Sequence, residues 1–252
     1  MRYEAAIDTP LGFSASGPGS FERLPMVAIE FDQLRYIWHD GREEADHQYW
    51  PVVSLEATGG GSDGDAAVAI NRFLSALCFV YDVPMSVAST AGAGFKKELD
   101  SPLIAQRGYG TRVLMSPISA ISVEADERLR LTLGLHREGR SATSPFYRYL
   151  ALYNSLDAAF DNHEQERDEF ARESLASADL PSSSDGPDFD WAEYLRDSLR
   201  NAVAHAVRRP GKPVLDPDEG TDRAALHQAA EHIARLIRLR VQARWPEGVQ
   251  SR

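Results

Sequence analysis

A short segment towards the C-terminal end of the chain combines three residue types that act on phosphate esters. Arg200, Asn201 and His205 follow one another within a few positions. A histidine transfers protons near neutral pH, an arginine stabilises charge on phosphoryl oxygens, and an amide orients either group through hydrogen bonds. This chemistry needs neither a metal ion nor a cofactor. The segment therefore predicts a site for metal-independent cleavage of phosphodiesters.

Helical spacing decides whether these side chains can meet. Asp197, Asn201 and His205 repeat at every fourth position, so on an α-helix they form a polar ridge. At about 100° per residue, Arg200 projects away from Asn201, but its long side chain can lean towards the ridge. The expected opposite side is apolar and consists of Leu195, Leu199, Ala202, Val203 and Ala206. Periodicity alone favours an ordinary solvated face, because most amphipathic helices carry one.

Basic residues are concentrated around the same segment. Between Arg196 and Lys212 the chain carries five basic residues against the single Asp197. The whole chain has a formal net charge of −11, which argues against a broadly basic surface for duplex binding. We therefore expect a local patch that contacts RNA phosphates, formed by Arg196, Arg208, Arg209 and Lys212.

The candidate site lies in a region, residues 141–252, that predicts helices only. Apolar positions recur there at helical spacing. A serine followed by a proline, and an aspartate followed three positions later by a glutamate, are start signals for helices. The expected helices start at Ser144–Pro145, at Asp190–Glu193 and at 221 or 222, and the last two end near 208 and 244.

Residues 1–140 predict strands mixed with a helix. β-branched and aromatic runs with partial alternation indicate strands, and a run of helical period after a glycine-rich break indicates the helix. The leucines at 129, 131, 133 and 135 have the period of a half-buried strand. The expected elements are strands over 25–40 and 48–58, a helix that Asp65 caps and that ends before Pro84, and strands over 83–90 and 129–135. The predicted class is α+β, with a mixed α/β domain over 1–140 and an all-α domain over 141–252.

The string Arg200-Asn201-Ala202-Val203-Ala204-His205 resembles the signature of HEPN domains, which is an arginine, a polar residue, three variable positions and a histidine. The resemblance implies an antiparallel helical bundle that dimerises and brings two motif helices around one cleft. In active relatives this cleft cleaves RNA without a metal. By position, His205 would assist attack by the 2′-hydroxyl, and Arg200 would support the charged intermediate with Asn201 beside it. Such relatives act in toxin, defence or RNA-processing settings, and many others are non-catalytic.

The whole chain is also similar to the methylamine utilisation protein MauJ family, through the stretches Arg72–Val87 and His136–Leu150. That family name describes the gene neighbourhood of its members rather than a reaction, so the resemblance implies an accessory or binding role. The acidity of the chain favours this alternative, whereas the intact motif favours the nuclease. The sequence therefore leaves open two functions, a HEPN-like endoribonuclease and a non-catalytic accessory protein.

Cysteine content and hydropathy indicate a cytoplasmic protein. Cys78 is the only cysteine, so no disulfide can form within the chain, which fits a reducing compartment. The longest uncharged apolar stretch, 73–81, falls short of the roughly 20 residues that a membrane span needs. We expect no membrane association. The expected partners are a second copy bound through the helical domain, RNA and a protein partner.

Overall fold

The computed structural model of the chain describes residues 2–14, 24, 26–41, 43–44, 47–48, 51–56, 62–91, 114–117, 121–122, 126–175, 189–204, 215–216, 219–246 and 250–251. The chain divides into two compact units, 1–124 with 247–252 and 125–246. The described part of the first unit contains strands and a helix, and that of the second is helical. The predicted α+β class is therefore confirmed.

The first unit is built on an antiparallel sheet of five strands in the order β3-β4-β7-β1-β8. Three shorter pairs accompany it: β2 with β9 in parallel, and β5 with β6 and β10 with β11 in antiparallel orientation. The strands are β1 (Arg2–Asp8), β2 (Leu11–Ser14), β3 (Met26–Phe31), β4 (Leu34–His39), β5 (Glu43–Glu44), β6 (His47–Gln48), β7 (Val52–Glu56), β8 (Ser86–Ala91), β9 (Leu114–Pro117), β10 (Ile121–Ser122) and β11 (Gln250–Ser251).

A tight turn interrupts the single strand predicted over 25–40. The chain reverses at Asp32 and Gln33, whose φ angles of 50° and 62° lie in the left-handed region, so β3 and β4 form a hairpin. The residues of β3 alternate strictly between exposed and buried, as expected for a strand with one face in the core. The sequence concealed this turn because neither residue is glycine, which ordinarily supplies positive φ.

Helix α1 (Asp63–Tyr81) provides the apolar core of the sheet. The ring of Tyr36 on β4 stacks on that of Phe73 with centroids 4.2 Å apart, and the Tyr36 hydroxyl donates to the Ala69 carbonyl oxygen at 3.2 Å. Cys78 is fully buried on the same helix. By length and composition α1 passes for a membrane span. Its buried face lies on the sheet, so α1 is a core helix.

The start of α1 differs in detail from the prediction. Ser62, rather than Asp65, is the N-cap residue, and its Oγ accepts from the Asp65 amide at 3.2 Å. The Asp65 carboxylate accepts in return from the Ser62 amide at 3.0 Å. This reciprocal arrangement is a capping box, which satisfies two backbone donors at the helix start.

The second unit contains six helical elements in its described part and a π-helical segment. They are α2 (Glu127–Ser141), α3 (Pro145–Ala159), α4 (Glu164–Ser174), α5 (Trp191–Glu193), the π-helical segment (Tyr194–Arg200), α6 (Asn201–Ala204) and α7 (Gly220–Arg244). The predicted starts at Pro145 and after Asp190 are confirmed, as is the end of the last helix at Arg244. The HEPN assignment of this unit stays a prediction.

The strand predicted over 129–135 is wrong, because this stretch lies within α2. The Asp126 carboxylate caps the helix by accepting from the Leu129 amide at 2.7 Å. Burial then follows helical spacing, since Leu129, Leu133 and His136 are buried while Leu131 is 48% exposed. The alternating leucines therefore do not indicate a strand. Leu129 and Leu133 face the core of the helical unit, and Leu131 faces solvent.

The two glycines of α2 offer a matched test of packing. A Cβ at Gly139 would lie 2.6 Å from Cγ of Leu152 on α3, whereas a Cβ at Gly134 would meet no atom within 4 Å. We expect Gly139→Ala to lower the free energy of unfolding by about 1–3 kcal/mol through overpacking. Gly134→Ala should raise it by roughly 0.5–1 kcal/mol, because alanine is the better helix former. Denaturant unfolding of both variants measures the difference, and equal effects would contradict the α2–α3 contact.

Candidate functional site

Three of the predicted site residues can be placed in the structure. Arg196 and Arg200 lie on the π-helical segment and Asn201 begins α6. The other four lie outside the described residues, and they are His205, Arg208, Arg209 and Lys212. The described part of the candidate site is therefore its arginine and amide end.

The helix that carries these residues departs from α-helical geometry. It begins regularly, with the Asp190 carboxylate accepting from the amides of Ala192 and Glu193 at 2.9 and 3.2 Å. Further along, the Asn201 amide donates to the Arg196 carbonyl oxygen, five residues back rather than four. One additional residue in a turn changes the direction of every later side chain by about 100°.

The burial of the helix agrees with the prediction only in its first part. Leu195 and Leu199 are buried, as predicted. Ala202 and Val203, which were expected on the same apolar side, are only half-buried. Asn201, which was expected to face solvent, is half-buried as well. Between positions 201 and 203 the expected division into an apolar and a polar side is therefore not seen.

Arg200 and Asn201 are in direct contact. Nη1 of Arg200 donates to Oδ1 of Asn201 at 3.2 Å. Nδ2 of the same amide donates to Oδ1 of Asp197 at 2.9 Å, which fixes the orientation of the amide group. The structure thus brings together two of the three residues proposed for the chemistry, with Asp197 holding the amide between them.

Arg196, predicted to contact RNA, is bound by two carboxylates of the same unit. Its Nη1 donates to Oδ2 of Asp168 on α4. Its Nε and Nη2 donate to the two oxygens of Asp197, each at 3.3 Å. Because both contacts are charge-assisted, this guanidinium is neutralised within the chain.

The same pairing continues into the interior of the unit. Arg167 on α4 is 4% exposed, and its Nε and Nη2 donate to Oδ1 of Asp168 at 3.0 and 2.7 Å. Its Nη1 donates to Asp157 on α3. We call the connected set the Asp–Arg network, and it consists of Asp157, Arg167, Asp168, Arg196, Asp197, Asn201 and Arg200. Sequence reasoning missed its first three members, because a charged stretch on α4 is indistinguishable from a solvated face.

Arg200 also influences the ionisation of buried groups on α3. Burial raises the pKa of the Asp157 carboxyl above its ordinary value, and the Arg167 charge partly offsets that effect. Burial also raises the pKa values of the Tyr149 and Tyr153 phenols. The positive charge of Arg200 lowers the pKa of all three groups and so opposes the effect of burial.

The chemical capacity of the site follows from this arrangement. The network holds three arginines and three aspartates, so their formal charges cancel. In the described part of the chain, no group of three or more histidine, cysteine, aspartate or glutamate side chains is placed to hold a metal ion. Arg200 is half-buried, and among described residues its hydrogen bond is to an amide rather than a carboxylate. It is therefore the network's one guanidinium with capacity for an external anion.

The fold and the site define a helical unit with an internal ion-pair network. Residues 132–242 of this unit match the family model described as Methylamine utilization protein MauJ. The resemblance expected over 136–150 lies inside that span, and the one over 72–87 lies outside it. No protein with a curated description and no solved structure matches the chain. The chain is thus similar to the MauJ family over its helical part.

Removal of Arg167 tests whether the buried pairing stabilises the unit. Arg167→Met leaves the Asp157 and Asp168 carboxylates without their shared buried cation. We expect a loss of about 3–5 kcal/mol in the free energy of unfolding. The matched control is Arg172→Met. The Arg172–Asp190 pair also joins α4 to the helix that carries the motif (191–204, the motif helix), but its side chains are 47% and 34% exposed. Its effect should stay below about 1 kcal/mol. Similar losses in both variants would show that burial of the pair is unimportant.

Proposed function

We propose that this chain is a MauJ-like accessory protein whose helical unit binds a protein partner in methylamine utilisation and does not cleave RNA. The observation that carries the proposal is the pairing of Arg196 with Asp168 and Asp197. Affinity for RNA comes from basic side chains that release counterions from phosphates. A guanidinium held by two carboxylates of its own chain contributes little to that affinity.

Charge balance supports the same proposal on a larger scale. Three arginines of the Asp–Arg network face three aspartates, and the whole chain carries a formal charge of −11. A polyanion approaching the network would meet Arg167 and Arg196 together with their carboxylate partners. A protein partner has no such restriction, because protein interfaces combine polar pairs with apolar surface.

The family similarity supports it as well. The matched span, 132–242, takes in α3, α4 and the π-helical segment, and with them the whole network. The family description names methylamine utilisation and no reaction. An accessory function is consistent with a unit whose distinctive polar residues are bound to one another.

A metal-independent endoribonuclease of the HEPN kind is the second candidate, and the state of Arg200 favours it. This guanidinium is half-buried, lies against the Asn201 amide, and has no carboxylate hydrogen bond among the described residues. Such a group could stabilise charge on a phosphoryl oxygen. In this alternative the helical unit forms a dimer, and His205 accepts the proton of the attacking 2′-hydroxyl.

A growth experiment separates the two candidates. Deletion of the gene in its source organism should slow growth with methylamine as the sole nitrogen source and leave growth with ammonium unchanged. Plasmid-borne wild-type protein and His205→Ala should both restore growth, because an accessory protein has no need of a proton-transferring imidazole. Restoration by the wild type but not by His205→Ala would favour the nuclease. Normal growth of the deletion strain on methylamine would contradict the accessory proposal.

An RNA assay tests the second candidate directly. Purified wild-type protein, Arg200→Ala and His205→Ala are incubated with single-stranded and structured RNA in the presence of a chelator. We expect no cleavage by any of the three. A true nuclease would show cleavage by the wild type that falls by about 10²- to 10⁴-fold in His205→Ala, the usual contribution of a general acid or base. Cleavage of equal rate in all three would indicate a contaminating enzyme.

A further inference from the structure

A buried tyrosine on α3 contacts the backbone of the motif helix. Tyr149 is 0% exposed, and its hydroxyl donates to the Leu195 carbonyl oxygen at 2.5 Å. In a regular α-helix this carbonyl would accept from the amide four residues on. A side chain that inserts into this hydrogen-bond ladder is one of the recognised causes of a local change in helix geometry.

The irregular geometry lies at the same point. Leu195 is the second residue of the π-helical segment, and the next carbonyl, that of Arg196, accepts from the Asn201 amide. A π-helical segment is rare and needs a compensating interaction, because its backbone contacts are poorer than those of an α-helix. The Tyr149 hydroxyl supplies a strong donor from outside the helix, in a place from which water is excluded.

A second contact holds the segment from its other side. The Arg196 side chain is bound to Asp168 of α4, while its backbone carbonyl accepts from Asn201. Two consecutive residues of the segment are therefore fixed by α3 and α4, one through its backbone and the other through its side chain. The residues that follow, Arg200 and Asn201, take their direction from this turn.

We propose that Tyr149 is a positioning residue for Arg200 and Asn201. Its hydroxyl maintains the π-helical segment, and the segment turns both side chains by about 100° from the direction that an uninterrupted α-helix would give them. This rotation sets the contact between Arg200 and the amide that Asp197 holds. The inference goes beyond the proposed function, because it concerns how the pair is held, whether the pair serves a partner protein or an RNA.

Two matched variants test this role. Tyr149→Phe removes the hydroxyl that reaches Leu195 and keeps the buried ring. Tyr153→Phe, one turn further along α3, is the control, since its ring is also buried and no hydrogen bond from its hydroxyl to the motif helix occurs among the described residues. Each full-length variant is labelled with ²H, ¹³C and ¹⁵N, and hydrogen-bond scalar couplings identify the carbonyl that accepts from the Asn201 amide.

The expected result is a change of acceptor in one variant only. In the wild type and in Tyr153→Phe the coupling should connect the Asn201 amide to the Arg196 carbonyl. In Tyr149→Phe it should be lost and replaced by a coupling to Asp197, four residues back. A general loss of stability would weaken couplings throughout the chain and would not create a new one to Asp197. The signals of α7 show independently whether the variant is folded. Retention of the Arg196 coupling in Tyr149→Phe would overturn the proposal.

The wild-type protein keeps the test decisive if Tyr149→Phe does not fold. A coupling between the Asn201 amide and the Asp197 carbonyl in the unaltered chain would itself overturn the proposal. The growth and RNA assays test the proposed function, and the couplings test the role of Tyr149. A failed function with an intact Arg196 coupling in the wild type therefore counts against the proposed function and leaves the role of Tyr149 standing.

Discussion

The arrangement of the helical unit depends on the neutralisation of one buried guanidinium, that of Arg167. Transfer of an arginine out of water is tolerated only where carboxylates replace its hydration, and Asp157 and Asp168 do so from α3 and α4. Asp168 then binds Arg196 on the motif helix with its other oxygen. The requirement to pair one interior charge thus fixes three helices relative to one another and determines which side of the motif helix faces α3.

This pairing changes the meaning of the basic segment. The sequence shows five basic residues between 196 and 212 and suggests a surface for a polyanion. In the structure, the first of them, Arg196, is bound to carboxylates of α4 and of its own helix, and Arg200 donates to the Asn201 amide oxygen. The positive charge of Arg196 therefore joins helices of the same unit, which explains how part of a basic motif can belong to an acidic chain.

Local signals predicted the helices whose ends carry recognisable caps, and long-range pairing escaped prediction. Pro145 marks a helix start through its fixed φ and Asp190 through its capping carboxylate, so local sequence signals located both. The leucines of α2 misled because strand and helix periods both fit a short apolar run. The partners Asp168 and Arg196 are 28 positions apart, and nothing in the spacing of either residue reveals the other. The sequence could therefore indicate the candidate site but not the charges that neutralise it.

A motif defined by spacing has one geometry only when the helix beneath it is uniform. Between Tyr194 and Arg200 the helix is not uniform, so the same letters would present Arg200 and Asn201 in another direction on a regular α-helix. Their orientation is a property of the unit, set by Tyr149 and by the Asp–Arg network. The similarity to the MauJ family extends over 132–242 and includes all of these supporting residues. The match over 132–242 is therefore a better guide to function than the six-residue motif 200–205. The motif can act chemically only where the surrounding helices orient its side chains.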